Sequence, residues 1–249
     1  YVFASLLDSQ ALSFVLAAVV ICAFSSWLLV RLIGQVEMTT PNARRWWLLG
    51  TAVVAGIGVW TTHFVAMLGY RTDLILNYQF GMTVISAAAA IIVVGVPFSL
   101  SITCTKTWIR FVTGATAGGG IGVMHISGMA ALEGCGQTQS LGFNIFACLI
   151  GATCIGVACA LPRRGNWPFV TGGLIVVAVC GTHFISIAGT VLTGTRVDGL
   201  LPGIQVALSV LTATGTAILL LGTFLALTAA KRFKTQETLH RRVLATALQ

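Results

Sequence analysis

The sequence predicts an all-α membrane protein of seven transmembrane helices, arranged as three helical-hairpin repeats plus one helix. Three observations carry that expectation. Hydrophobic residues make up 57% of the 249 and charged residues only 8%, against about 25% charged in a soluble domain, so most of the surface cannot face water. The apolar residues form seven continuous stretches rather than alternating strands, which excludes a membrane barrel. The basic residues sit in short clusters between those stretches. A net charge of +8 spread in this way marks membrane loops, not a nucleic-acid surface.

The first stretch, Ala11–Ile33, is long enough to span and reads as a helix rather than a cleaved signal. Trp46–Gly69, Phe80–Cys104, Phe111–Leu132, Leu141–Leu161, Phe169–Leu192 and Gly203–Ala230 follow. Each can supply the about 20 helical residues that a ~30 Å hydrocarbon core requires. Trp27, Trp46, Trp47 and Trp108 stand near span ends, where interfacial anchors belong.

Charge orients the bundle. With the N-terminus outside, the inner loops hold Arg31, Arg44, Arg45, Lys106, Arg110, Arg163 and Arg164, and the C-terminal segment adds Lys231, Arg232, Lys234, Arg241 and Arg242. Only Arg71 and Arg196 fall outside, together with Asp8, Asp73, Glu133 and Asp198. Basic residues beside short loops are retained in the cytoplasm, so the C-terminus is expected there. Residues 1–230 are expected to form the membrane domain. Residues 231–249, from Lys231 to Gln249, read as a cytoplasmic helical linker towards an output domain.

The seven cysteines do not form a disulfide framework. Six lie in or at the ends of spans, where Cys acts as a small apolar residue, and Cys135 lies in an outer loop. Gly114, Gly118 and Gly122 recur at every fourth residue, a spacing that lets helices approach closely.

The polar residues inside the spans carry the chemistry. His63, His125 and His183 lie 62 and 58 residues apart, one in each even-numbered span. Counted back from Tyr70, Glu133 and Thr193, they are expected roughly 10–15 Å below the outer helix ends. A polar ring at one depth in hydrocarbon normally faces the bundle interior, and this one reads as a shared site. Met67 and Met129 follow His63 and His125 by four residues, on the same helix face. Imidazole with thioether suits copper, above all Cu(I); three histidines and a water would also suit zinc. Mg²⁺ and Ca²⁺ want carboxylates, which these spans lack. Thr62, Ser127, Thr182 and Ser186 stand beside the histidines, either orienting imidazoles or bonding to their own helices. Trp60 and Cys180 are further candidates for the pocket wall.

The segments Thr62-His63-Phe64-Val65-Ala66-Met67, Met124-His125-Ile126-Ser127-Gly128-Met129 and Thr182-His183-Phe184-Ile185-Ser186-Ile187 resemble the three repeats of the MHYT domain. That family is a bacterial integral-membrane sensor domain, and the resemblance covers nearly the whole chain. It implies copper held by His63, His125 and His183 with Met67, Met124 and Met129, and through it the sensing of oxygen, carbon monoxide or nitric oxide. It also implies a cytoplasmic output domain in the same chain that makes or degrades cyclic-di-GMP, or a histidine kinase. No copy spells the motif in full, and Ile187 replaces the third thioether.

Two function classes compete. The first is a sensor whose partners are membrane lipid, a diatomic gas, the output domain and a second copy in a homodimer. The second is a three-histidine zinc hydrolase, for which Glu133 is the sole nearby acid or base. A transporter fits less well, because three repeats plus one helix do not make two inverted halves. The sensor, with no catalytic residue in this segment, is the expected reading.

Overall fold

The computed structural model describes residues 9–68, 77–133, 136–193, 215–217, 220–232, 235 and 238. Helix α1 is Ser9–Met38 and α2 is Pro41–Leu68. Pro41 opens α2, where its missing N–H costs nothing, and Thr40 accepts the first amides. Helix α3 runs from Phe80–Ala90 through a π-helical turn, Ile91–Gly95, into Val96–Thr103. Helices α4, Thr107–Met129, α5, Leu141–Ala160, and α6, Trp167–Ala188, follow, and α7 covers Gly215–Arg232. Arg71, Asp73, Cys135 and Arg196 lie outside the described residues, as does most of the expected linker after Arg232.

Six of these helices are long and apolar enough to cross a membrane: all but α4. At 23 residues α4 has the length, about 35 Å, but its six glycines and its polar Thr107, Arg110, Thr113 and Thr116 lower its hydropathy. Those glycines make it the closest-packed helix instead. A Cβ on Gly118 would stand 2.1 Å from the Gly151 carbonyl oxygen, so only bare backbone allows α4 and α5 to meet there. The π turn has an equally local cause. Pro97 cannot donate to the Val93 carbonyl, and the ladder shifts by one residue ahead of it. Gly120 of α4 fits against that same carbonyl, where a Cβ would come within 2.2 Å.

Helix α2 is central. Its apolar window is 83% buried, against 33–44% for α1, α3, α5 and α6. Its polar groups are accommodated inside: the Thr51 hydroxyl donates to Trp47, Thr62 to Gly58, and Thr61 shares a 2.5 Å bond with Thr216 of α7. Among the described cysteines no disulfide forms.

The far ends of α2, α4 and α6 are tied by two short antiparallel ribbons. β1, Asn77–Tyr78, pairs with β2, Leu132–Glu133; β3, Gly136–Gln139, pairs with β4, Thr190–Thr193. The connections after the first two histidine helices are thus joined, and the second of them is joined to the segment after the third. The ribbons also end the helices early. Leu132, Val191 and Leu192, expected at the tops of spans, are strand residues.

Candidate metal centre

Each histidine sits four or five residues before the last residue of its helix, Leu68, Met129 or Ala188. That is about 6–8 Å from the end of each described helix, shallower than the expected 10–15 Å; after α4 and α6 the ribbons replace the last turns. His63, His125 and His183 are 2%, 1% and 8% exposed and face one another across α2, α4 and α6. Their rings pack edge to face with centroids 4.8, 5.2 and 5.3 Å apart.

The ring nitrogens converge. His63 Nδ1 is 3.2 Å from His125 Nδ1 and 3.2 Å from His183 Nδ1. A neutral imidazole nitrogen holds either a proton or a lone pair, so His63 Nδ1 can make only one good hydrogen bond of the two. The Nε2 atoms of His63 and His125 are buried with no partner at all. A buried polar atom left unpaired costs about 1–3 kcal/mol, so three neutral imidazoles alone are a poor occupant of this space. An ion among the three Nδ1 atoms would relieve the crowding at His63 Nδ1: a tetrahedral centre with ~2.0 Å bonds to imidazole sets its donors roughly 3.3 Å apart. The donor set fits a borderline-to-soft metal.

The cavity among the rings is lined by Val59, His63, Ile121, Met124, His125, Val179 and His183. It offers about 10 Å³ to the centre of a water-sized sphere, room for one small ion or ligand. Met124 supplies the thioether on this wall. Met67 and Met129 are buried, at 2% and 0% exposure, but are not among the lining residues. Ile187 is buried without a donor.

The neighbouring polar side chains turn elsewhere. The hydroxyls of Thr62 and Ser127 donate to the carbonyls of Gly58 and Met124 in their own helices. Thr182 donates to the Ala147 carbonyl, and Ser186 bonds the side-chain amide of Asn144, both on α5. Trp60 donates its indole N–H to Ser86 at 2.9 Å and does not line the cavity. Glu133 lies in β2 opposite Asn77, and no carboxylate is among the lining residues.

Two features escaped the sequence reading. Val59, Ile121 and Val179 each precede a histidine by four residues and form an aliphatic floor one turn below the rings. Their recurrence at i−4 in every copy was the available signal. Gly128 is the second: a Cβ there would lie 2.6 Å from His63 Nε2, so its bareness makes room for the central ring.

Residues 56–114 match the family model MHYT, described as a bacterial signalling protein N-terminal repeat. The chain is 28% identical over 216 residues to an uncharacterized signaling protein of Caulobacter vibrioides, covering 84% of this chain and 27% of that one. It is 33% identical over 118 residues to MucR of Pseudomonas aeruginosa, a bifunctional diguanylate cyclase/cyclic di-GMP phosphodiesterase, covering 46% of this chain and 17% of that one. A cyclic di-GMP phosphodiesterase of the same organism, NbdA, is 26% identical over 193 residues, 73% of this chain and 24% of its own length. The chain spans about a quarter or less of the length of these relatives. No solved structure matches.

Proposed function

We propose that this chain, an MHYT-family membrane domain, is a sensor that holds a copper ion between His63, His125 and His183. One observation carries the reading: His63 Nδ1 stands 3.2 Å from two other imidazole nitrogens that it cannot both satisfy, in a buried cluster. Copper held there supplies one-electron redox chemistry and a position for a soft or diatomic ligand such as nitric oxide, oxygen or carbon monoxide. The three imidazoles hold and orient, and Met124 presents a neutral sulfur to the same space. The floor of Val59, Ile121 and Val179 keeps water from the other half of the bundle away from the rings.

In this reading α4 completes a seven-span bundle, with the N-terminus outside and the C-terminus in the cytoplasm of a bacterium. The inward bias of Lys and Arg supports that orientation. Residues 1–230 form the sensor and 231–249 the linker to a cyclic-di-GMP output domain, as the names of the longer relatives suggest. Pairing of two copies would bring two output domains together. Among the described residues no carboxylate lines the cavity to serve the zinc hydrolase reading as general acid or base.

The test is elemental analysis of the purified chain from copper-replete cells, followed by spectroscopy with nitric oxide and carbon monoxide. About one copper per chain, absent from a His125→Ala variant, is expected. Stoichiometric zinc without copper would overturn the assignment.

A further inference from the structure

The end of the bundle opposite the histidines holds a second, unrelated cleft. Ser101 of α3, Arg110 of α4, Cys159 of α5, Arg163 of the α5–α6 connection, and Trp167 and Thr171 of α6 line it. Arg110 and His125 are 15 residues apart on α4, about 22 Å, so the two sites share no residue and no wall.

The polar groups of this cleft are not balanced among themselves. The Arg163 guanidinium pairs with Glu37 of α1, with side-chain exposures of 20% and 40%. Arg110 Nη2 donates to the Leu161 carbonyl at 3.1 Å, but its Nε is buried without an acceptor. Thr171 is 2% exposed and its hydroxyl has no partner. Ser101 is satisfied by the Phe98 carbonyl and Cys159 Sγ. Among the described residues, two guanidinium charges therefore meet one carboxylate, and two buried donors on lining residues have no protein acceptor. Burial also lowers the proton affinity of Arg163.

A neutral ligand would leave the charge as it is. An anion with several acceptor oxygens answers both deficits, and guanidinium forks match phosphate geometry. Arg44 and Arg45 in the first turn of α2, with Lys106 and Arg164 in connections, lie at the same end and raise the local concentration of anions. We propose that this cleft is a phosphate-binding site, with Arg110 and Arg163 as the charged ligands and Thr171 as the buried hydroxyl donor. Basic pockets between spans on the cytoplasmic side suit anionic lipid headgroups, and a soluble phosphate would use the same chemistry.

The experiment titrates the purified, delipidated chain with phosphatidylglycerol, with inorganic phosphate, and with a diacylglycerol of the same acyl chains, read by native mass spectrometry and thermal shift. Phosphatidylglycerol should bind and diacylglycerol should not. Arg110→Gln should weaken binding about tenfold or more, the scale of one charge-assisted hydrogen bond, and Thr171→Val should weaken it without removing charge. Circular dichroism checks that each variant folds, and the isosteric Thr171→Val keeps the test alive should Arg110→Gln fail to. Binding of inorganic phosphate alone, lost in both variants, assigns the site to a soluble ligand and supports the proposal. It is overturned if neither phosphate compound binds, if diacylglycerol binds equally well, or if the folded variants bind as the wild type does.

Discussion

Gly128 of α4 lies directly against the His63 ring of α2, with room for a hydrogen atom and not for a methyl group. A Cβ at position 128 would stand 2.6 Å from His63 Nε2 and 2.9 Å from Cδ2. His63 is the hinge of the cluster, since its Nδ1 makes both close contacts. Gly128→Ala is therefore expected to tilt that ring and weaken metal binding about tenfold or more, the scale seen when a ligand's supporting group is altered. Gly119→Ala, where nothing lies within 4 Å, is the control and should bind as the wild type does. Competition with a copper chelator measures both. Equal affinities would mean that the ring has slack the geometry does not suggest.

That glycine marks the limit of what the sequence discloses. Continuous apolar runs placed the six helices that are long and apolar enough to cross a membrane, because hydrocarbon demands length and apolarity that a chain displays openly. The histidines were legible through their period, since equivalent positions in hairpin repeats return to equivalent depths. Gly114, Gly118 and Gly122 announced close packing by spacing, whereas Gly128 stands outside that series and faces a ring rather than a backbone. The ribbons were not legible. Gly136–Gln139 is short and polar, its partner lies more than fifty residues away, and Val191-Leu192 reads as easily in a helix as in a strand. Helix periodicity put Met67 and Met129 on the faces of their histidines, whereas Met124 is the methionine among the described residues that line the cavity.

The thioethers can be separated by substitution. Met124→Leu removes the only sulfur on the cavity wall among the described residues and is expected to change the spectrum and reduction potential of the copper-loaded chain. Met67→Leu and Met129→Leu replace buried side chains of similar volume and should cost under about 1.5 kcal/mol with the spectrum unchanged. A spectral change in Met67→Leu or Met129→Leu, with none in Met124→Leu, would restore the ranking expected from helix spacing.

Close packing of α4 on α5 can be tested apart from the metal. Gly118→Ala places a methyl 2.1 Å from the Gly151 carbonyl oxygen, a backbone atom that cannot swing aside. Overpacking of this kind costs about 1–3 kcal/mol, so the thermal midpoint in detergent should fall clearly below that of Gly119→Ala. An unchanged midpoint would show that α4 and α5 can separate freely.

The last prediction concerns how the site reaches α7. Thr61, two residues from His63, shares a 2.5 Å hydrogen bond with Thr216, and both are buried, at 0% and 3% exposure. Among the described residues α7 also meets the bundle through buried Leu220 and through Phe224, which rests on Trp27 of α1 at 6.1 Å, while 12% of its apolar window is buried. A shift of α2 on ligand binding therefore has a polar handle on the helix that leads to the C-terminus. Hydrogen bonds between membrane helices average about 0.6 kcal/mol and reach about 1.7, enough to bias a small rearrangement but not to hold the fold. Thr61→Val should keep copper affinity, because the hydroxyl touches no ligand, and a cycle with Thr216→Val should give a coupling energy in that range. In the wild type, copper should slow hydrogen exchange of the α7 amides; in Thr61→Val that response should be much reduced. If α7 responds to copper equally in both, the tie is packing only, and the change must travel through α1 and the Trp27–Phe224 contact instead.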